Sequence, residues 1–169
     1  MTAPALERTA VRDPLSLLPA SEFSAVVSTV VGNNPGMDRA VAERVTAEAL
    51  KFVATAARSH GQKLVPSRLV DEGWHALILH TRVYRELGVR VGVFVDHVPT
   101  APGAPRHGDG RRTATVEAIR SAGFEPDLDL WEGAAANCCE HEDCPGDCGA
   151  VIVPIPDEDR LSVSSRERD

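Results

Sequence analysis

Two groups of side chains in this chain have the types and spacing to do chemistry. The first is Asp71 and His75, one helical turn apart, with His97 further along. A carboxylate one turn before a histidine can fix the imidazole tautomer and leave the other ring nitrogen for a metal ion or a substrate. With His97 delivered by a neighbouring segment, the three make a two-histidine, one-carboxylate set, a donor combination suited to a catalytic metal ion. The second group is Cys138, Cys139, His141, Cys144 and Cys148, four thiols and one imidazole within eleven residues. Cys144 and Cys148 flank a Pro-Gly turn at a spacing used by zinc pairs, and Cys139 with His141 or Cys138 completes a tetrahedral set. Zinc is therefore the cofactor this segment predicts.

Each group also has a purely structural reading. A helix-border histidine bonded to Asp71 can lock a tryptophan-centred core without chemistry, and the cysteines can belong to an unliganded tail. Glu72-Gly73-Trp74-His75 matches the Glu-x-x-His spacing of di-iron bundles, but it occurs once where such centres need two copies. Ser-His-Asp hydrolysis has no support, since no Gly-x-Ser-x-Gly is present. His80 lies near the opposite border of its helix from Asp71 and His75, so one ion is not expected to take both His75 and His80.

These residues need elements to position them. A chain of 169 residues suits one domain, and 4% aromatics leave Ala, Val and Leu to form the core. That composition favours closely packed helices over a sandwich. A net charge of −7 and a pI near 5.4 argue against nucleic acid as a partner. No apolar run approaches the roughly 18 residues of a membrane span, and no signal-peptide pattern opens the chain, which predicts a cytoplasmic protein. The preference for arginine over lysine suits a GC-rich bacterial source.

Residues 1–20, with three prolines, read as a flexible arm. A first helix is expected from Ser21, its N-cap, to Val31. The second runs from the Asp38 cap to about Arg58 and carries an apolar stripe of Val41, Val45, Ala49, Phe52 and Ala56. Glu48 falls near the edge of that stripe, an edge carboxylate for Arg44 or Lys51. Pro66 and Ser67 open the third helix, expected to reach Gly88 and to be the centre of the fold. Val91 to Pro99 reads as an extended segment crossing back over the helices. A Pro/Gly loop leads to a fourth helix from Thr113 to Ser121, stopped by Gly123, and Phe124 to Trp131 form an apolar return. Residues 133–156 hold the cysteines and a short strand or lid at Val151–Pro156, and 157–169 read as a charged, disordered tail.

The middle of the chain resembles a bacterial domain of unknown function grouped with the glycine-rich-domain-containing-protein-like family. The resemblance rests on Glu48-Ala49-Leu50-Lys51-Phe52, on the run from Pro66 through Trp74-His75 to Tyr84, and on Gly92-Val93-Phe94-Val95-Asp96-His97-Val98-Pro99. It spans about residues 37 to 132. Members commonly place two histidines before that proline, where this chain has Asp96-His97, and a cysteine near the position of Gly88. Similar actinobacterial proteins end in a short Cys-rich tail. The resemblance implies a helical domain and carries no activity.

The sequence thus predicts an all-α domain of about four main helices over 21–132, with an extended crossing segment and a Cys-rich C-terminal tail. Its leading functional reading is a small metal-binding or accessory protein with zinc in the Cys/His segment. A metalloenzyme using Asp71, His75 and His97 is one alternative. The other is an interaction module that docks a protein partner through its Trp74/Tyr84 face or its acidic tail.

Overall fold

In the computed structural model, the structure describes residues 11–59, 62–98, 109–132 and 149–154. The Cys138–Cys148 segment lies outside them. A short 3-10 turn at Pro14–Leu17 precedes α1 (Ala20–Asn33), α2 (Arg39–Ala56), α3 (Arg68–Leu79) and α4 (Thr81–Val91). Then follow β1 (Val93–Val98), α5 (Asp109–Ser121), α6 (Leu128–Glu132) and β2 (Gly149–Pro154). The fold is mostly helical, as expected, but the described residues hold six helices where about four were predicted.

The difference has two sources. The apolar return contains a helical turn, α6, which buries Leu130 and Trp131. The expected third helix is broken at His80, whose ψ of 64° leaves the helical region. A straight helix would separate Trp74 from Tyr84 by about 15 Å along its axis. The break folds α4 back so that Trp74 Nε1 donates to Tyr84 Oη over 2.8 Å. His80 itself is held at the bend by a 2.8 Å contact from its Nε2 to Thr29 Oγ1 of α1. The predicted divergence of His75 and His80 is observed, and His80 has no part in the Asp71–His75 cluster.

Centrality also moves. Eleven of the 18 residues of α2 are buried against five of the 12 in α3, because α2 is packed by α1, α3, α5 and the 3-10 turn. The apolar stripe of α2 is buried as expected, apart from the half-exposed Val41. Helices α2 and α3 approach closely at Gly73. A Cβ placed there would lie 2.8 Å from the Val45 carbonyl oxygen and 3.0 Å from Ala49 Cβ. Ser67, expected with Pro66 to open α3, caps it, its Oγ accepting from Val70 N and donating to the Leu130 carbonyl. Ser21 does not cap α1; the helix begins one residue earlier, after Pro19, with no side-chain cap.

Gly92 ends α4 in the left-handed region, φ 95°, and turns the chain directly into β1. The crossing segment is thus a strand. It pairs antiparallel with β2, which begins at Gly149, two residues before the strand or lid expected at Val151–Pro156, in a register that sets His97 opposite Ala150 and Val95 opposite Ile152. Val95 is buried and alternate residues of a strand share a face, so His97 is carried on the side of β1 that meets α3.

Candidate metal centre

The site begins as one ridge of α3. Asp71 and His75, four residues apart, project from the same border of the helix. Helix α4, the Gly92 turn and β1 then return the chain so that His97 completes the cluster. His75 Nε2 and His97 Nε2 lie 2.8 Å apart. His97 Nε2 is 3.1 Å from Asp71 Oδ1, and His75 Nε2 is 3.6 Å from Asp71 Oδ2. The sequence assigned the carboxylate to His75; in the fold it stands nearer to His97. The two imidazoles are tilted at 56° with centroids 4.5 Å apart, so each ring presents Nε2 inward.

Protons decide what this convergence can do. A neutral imidazole offers one N–H and one bare nitrogen. If His97 carries its proton on Nε2, that single hydrogen faces both the Asp71 carboxylate and the His75 nitrogen. If His75 carries it instead, the bare His97 nitrogen faces the carboxylate without a proton between them. In neither neutral arrangement are both short contacts good hydrogen bonds. A divalent cation satisfies all three atoms at once. Ligands near 2.0–2.1 Å from one tetrahedral ion stand about 3.3 Å apart, within the spread of the three observed separations.

The surroundings are asymmetric. Asp71 and His97 side chains are each 13% exposed, whereas His75 is 44% exposed, so the cluster opens to solvent on the His75 side. The inner wall is Trp74. Its indole, fully buried, meets the His97 ring at a centroid distance of 4.5 Å in an edge-on arrangement and packs against Phe52 at 5.0 Å. Tyr84, also buried, accepts from the indole and donates its own proton to the Val95 carbonyl oxygen over 2.5 Å. Burial, and secondarily the charge of Asp96, pushes the Tyr84 hydroxyl well above its usual pKa, so it stays a donor.

The residues predicted for chemistry therefore fare differently. Asp71, His75 and His97 come together, with the two histidine nitrogens well inside the 5 Å that one ion demands. Cys138, Cys139, His141, Cys144 and Cys148 fall outside the described residues. The Trp74/Tyr84 face proposed for docking is turned into the core, which removes that surface from the interaction reading. Glu48, expected at a helix edge, is completely buried. Its Oε2 accepts from Lys51 Nζ at 2.7 Å and from Asp127 N, and its Oε1 from Trp131 Nε1 at 2.7 Å. Lys51 was a foreseen partner; Trp131 and Asp127, about 80 residues away in sequence, gave no local signal. The Trp74–Tyr84 bond was hidden in the same way, because both residues read as apolar bulk.

No helix among the described residues is long and apolar enough to cross a membrane. No curated protein and no solved structure matches the chain. A family model described as UCP032817-like matches residues 16–113, more than half of the chain, and takes in α1 to β1 with all three converging residues. That family does not carry the glycine-rich-domain name, and its own name assigns no activity. The chain belongs to the UCP032817-like family.

Proposed function

We propose that this protein is a metal-binding protein whose Asp71, His75 and His97 hold one divalent transition-metal ion at the junction of α3 and β1. The observation that carries the reading is the meeting of two Nε2 atoms and a carboxylate within 3.6 Å, with too few protons to satisfy them. Zinc fits this donor set, since two imidazoles and one carboxylate plus an open position form a common catalytic zinc centre. Ferrous iron is held by the same donors in non-haem centres. The exposure of His75 leaves a side of the ion to water, which favours a site that works on an exchangeable ligand over a closed structural one. A water bound there would be acidified into a nucleophile near neutral pH.

The Cys138–Cys148 thiols are a separate zinc proposal supported by residue types alone. Elemental analysis and Zn2+ titration of protein purified without chelator tell the two apart. His75→Ala and His97→Ala are expected to lose one equivalent that Cys144→Ser/Cys148→Ser retains. Metal that follows the cysteines and ignores both histidines would overturn the Asp71–His75–His97 reading. A second equivalent lost only with the cysteines would establish two centres.

A further inference from the structure

Resting on that metal reading, we infer that Tyr84 is a positioning residue for the centre, its hydroxyl setting both the strand and the ring that place His97. Tyr84 is the chain's single tyrosine and touches none of the three ligands in the contacts that define the site. It acts through two partners. By donating to the Val95 carbonyl it ties β1 to α4 two residues before His97, on the strand face that carries His97 toward α3. By accepting from Trp74 Nε1 it holds the indole whose edge the His97 imidazole packs against at 4.5 Å. One buried oxygen thus fixes the backbone that delivers the ligand and the wall that orients its ring.

A phenylalanine would fill the same space. The hydroxyl earns its place only through these two bonds, because a buried polar group without partners is costly. The bonds also explain the break at His80: without it the oxygen could not reach the indole, and a continuous helix would leave the back of His97 unsupported. Partners hydrogen-bonded directly to a ligand change metal affinity by about 10–100-fold when removed, and Tyr84, one contact further out, is expected at the low end of that range.

The test compares Tyr84→Phe with Trp131→Phe in the full chain, measuring Zn2+ affinity by chelator competition, the Co2+ absorption spectrum and the melting temperature without metal. Trp131→Phe removes an equally buried hydrogen bond, to Glu48, away from the centre. Tyr84→Phe is expected to weaken Zn2+ binding by about 10-fold and to alter the Co2+ spectrum. Trp131→Phe should leave affinity and spectrum unchanged while lowering the melting temperature. A wild type that binds and a Tyr84→Phe variant that binds equally well overturn the positioning role alone. An equal loss of affinity in both variants assigns the effect to general stability and also overturns it. A wild type that binds no metal overturns the metal reading and this inference with it. Should Tyr84→Phe not fold, Trp74→Phe keeps an aromatic ring in the core beside His97 and removes the indole N–H that binds the hydroxyl, together with part of the ring bulk; a loss of affinity is again expected, and unchanged affinity overturns the proposal.

Discussion

Helices α2 and α3 each carry a carboxylate that gathers distant partners, and the two are built in opposite ways. Glu48 of α2 is enclosed by donors: an ammonium, an indole N–H and a backbone N–H point at its two oxygens. Lys51 also donates to the Glu125 carbonyl, and Arg44 clamps Asp127 and Asp129 nearby, so the charge balance closes locally. Asp71 of α3 faces two imidazole nitrogens that share too few protons, on a site that opens to water. Burial alone would have marked Glu48 as the more remarkable group. Counting donors against acceptors reverses that judgement, since a saturated buried carboxylate anchors structure, whereas the Asp71 cluster is the one proposed to take a cation.

The contrast can be broken at several points. Glu48→Ala leaves Trp131 Nε1 and Asp127 N without their acceptor and Lys51 with the Glu125 carbonyl in place of a carboxylate. It should cost about 3–5 kcal/mol in denaturant unfolding, as breaking a buried ion pair does, while Zn2+ affinity of the folded fraction stays unchanged. A metal-affinity loss in that variant would mean the two regions are coupled. Next in size is the stabilisation supplied by the ion. Zinc at about 100 times its dissociation constant should stabilise the wild type by roughly 2.7 kcal/mol, visible as a raised melting temperature that His97→Ala does not show.

Gly73 lies where the helix of Glu48 meets the helix of Asp71. Gly73→Ala drives a Cβ against the Val45 carbonyl and should cost about 1–3 kcal/mol by overpacking. Because the strain enters between the two centres, its effect on metal affinity measures how rigidly α3 is held. The smallest effect belongs to the half-exposed Arg44. Its side chain hydrogen-bonds Asp127 and holds that carboxyl below the usual carboxylate range. A depressed pKa contributes stability above the unfolded value that is lost as pH falls through the folded one. Arg44→Ala should thus cost at most about 1 kcal/mol at neutral pH, and the gap from wild type should close on acidification below about pH 4.

Much of this was legible in advance where the signal is local. The α2 stripe, the Ser67 cap, the Gly123 stop at φ 87° and the Asp71–His75 ridge all depend on residues within a turn or two of one another. Even the crossing strand could be read, from a β-branched run bounded by glycine and proline. The break at His80 could not, since nothing in Leu79-His80-Thr81 forbids a helix; the Thr29 contact and the Trp74–Tyr84 bond favour the bend only once α1 and β1 are packed. The burial of Glu48 was equally hidden, because two of its three donors, Asp127 N and Trp131 Nε1, come from the segment after α5.

By itself, then, the sequence determined the helical character of the chain, the ridge that bears Asp71 and His75, and the extended segment that bears His97. Each follows from periodicity and turn chemistry over short spans, where the backbone's few allowed conformations leave little choice. Only the tertiary structure decided that His97 comes within 2.8 Å of His75 and that Glu48 is saturated. Those outcomes turn on how helices and strand close over the core, and a difference of a few ångströms separates a converging Asp71–His75–His97 cluster from three unrelated side chains.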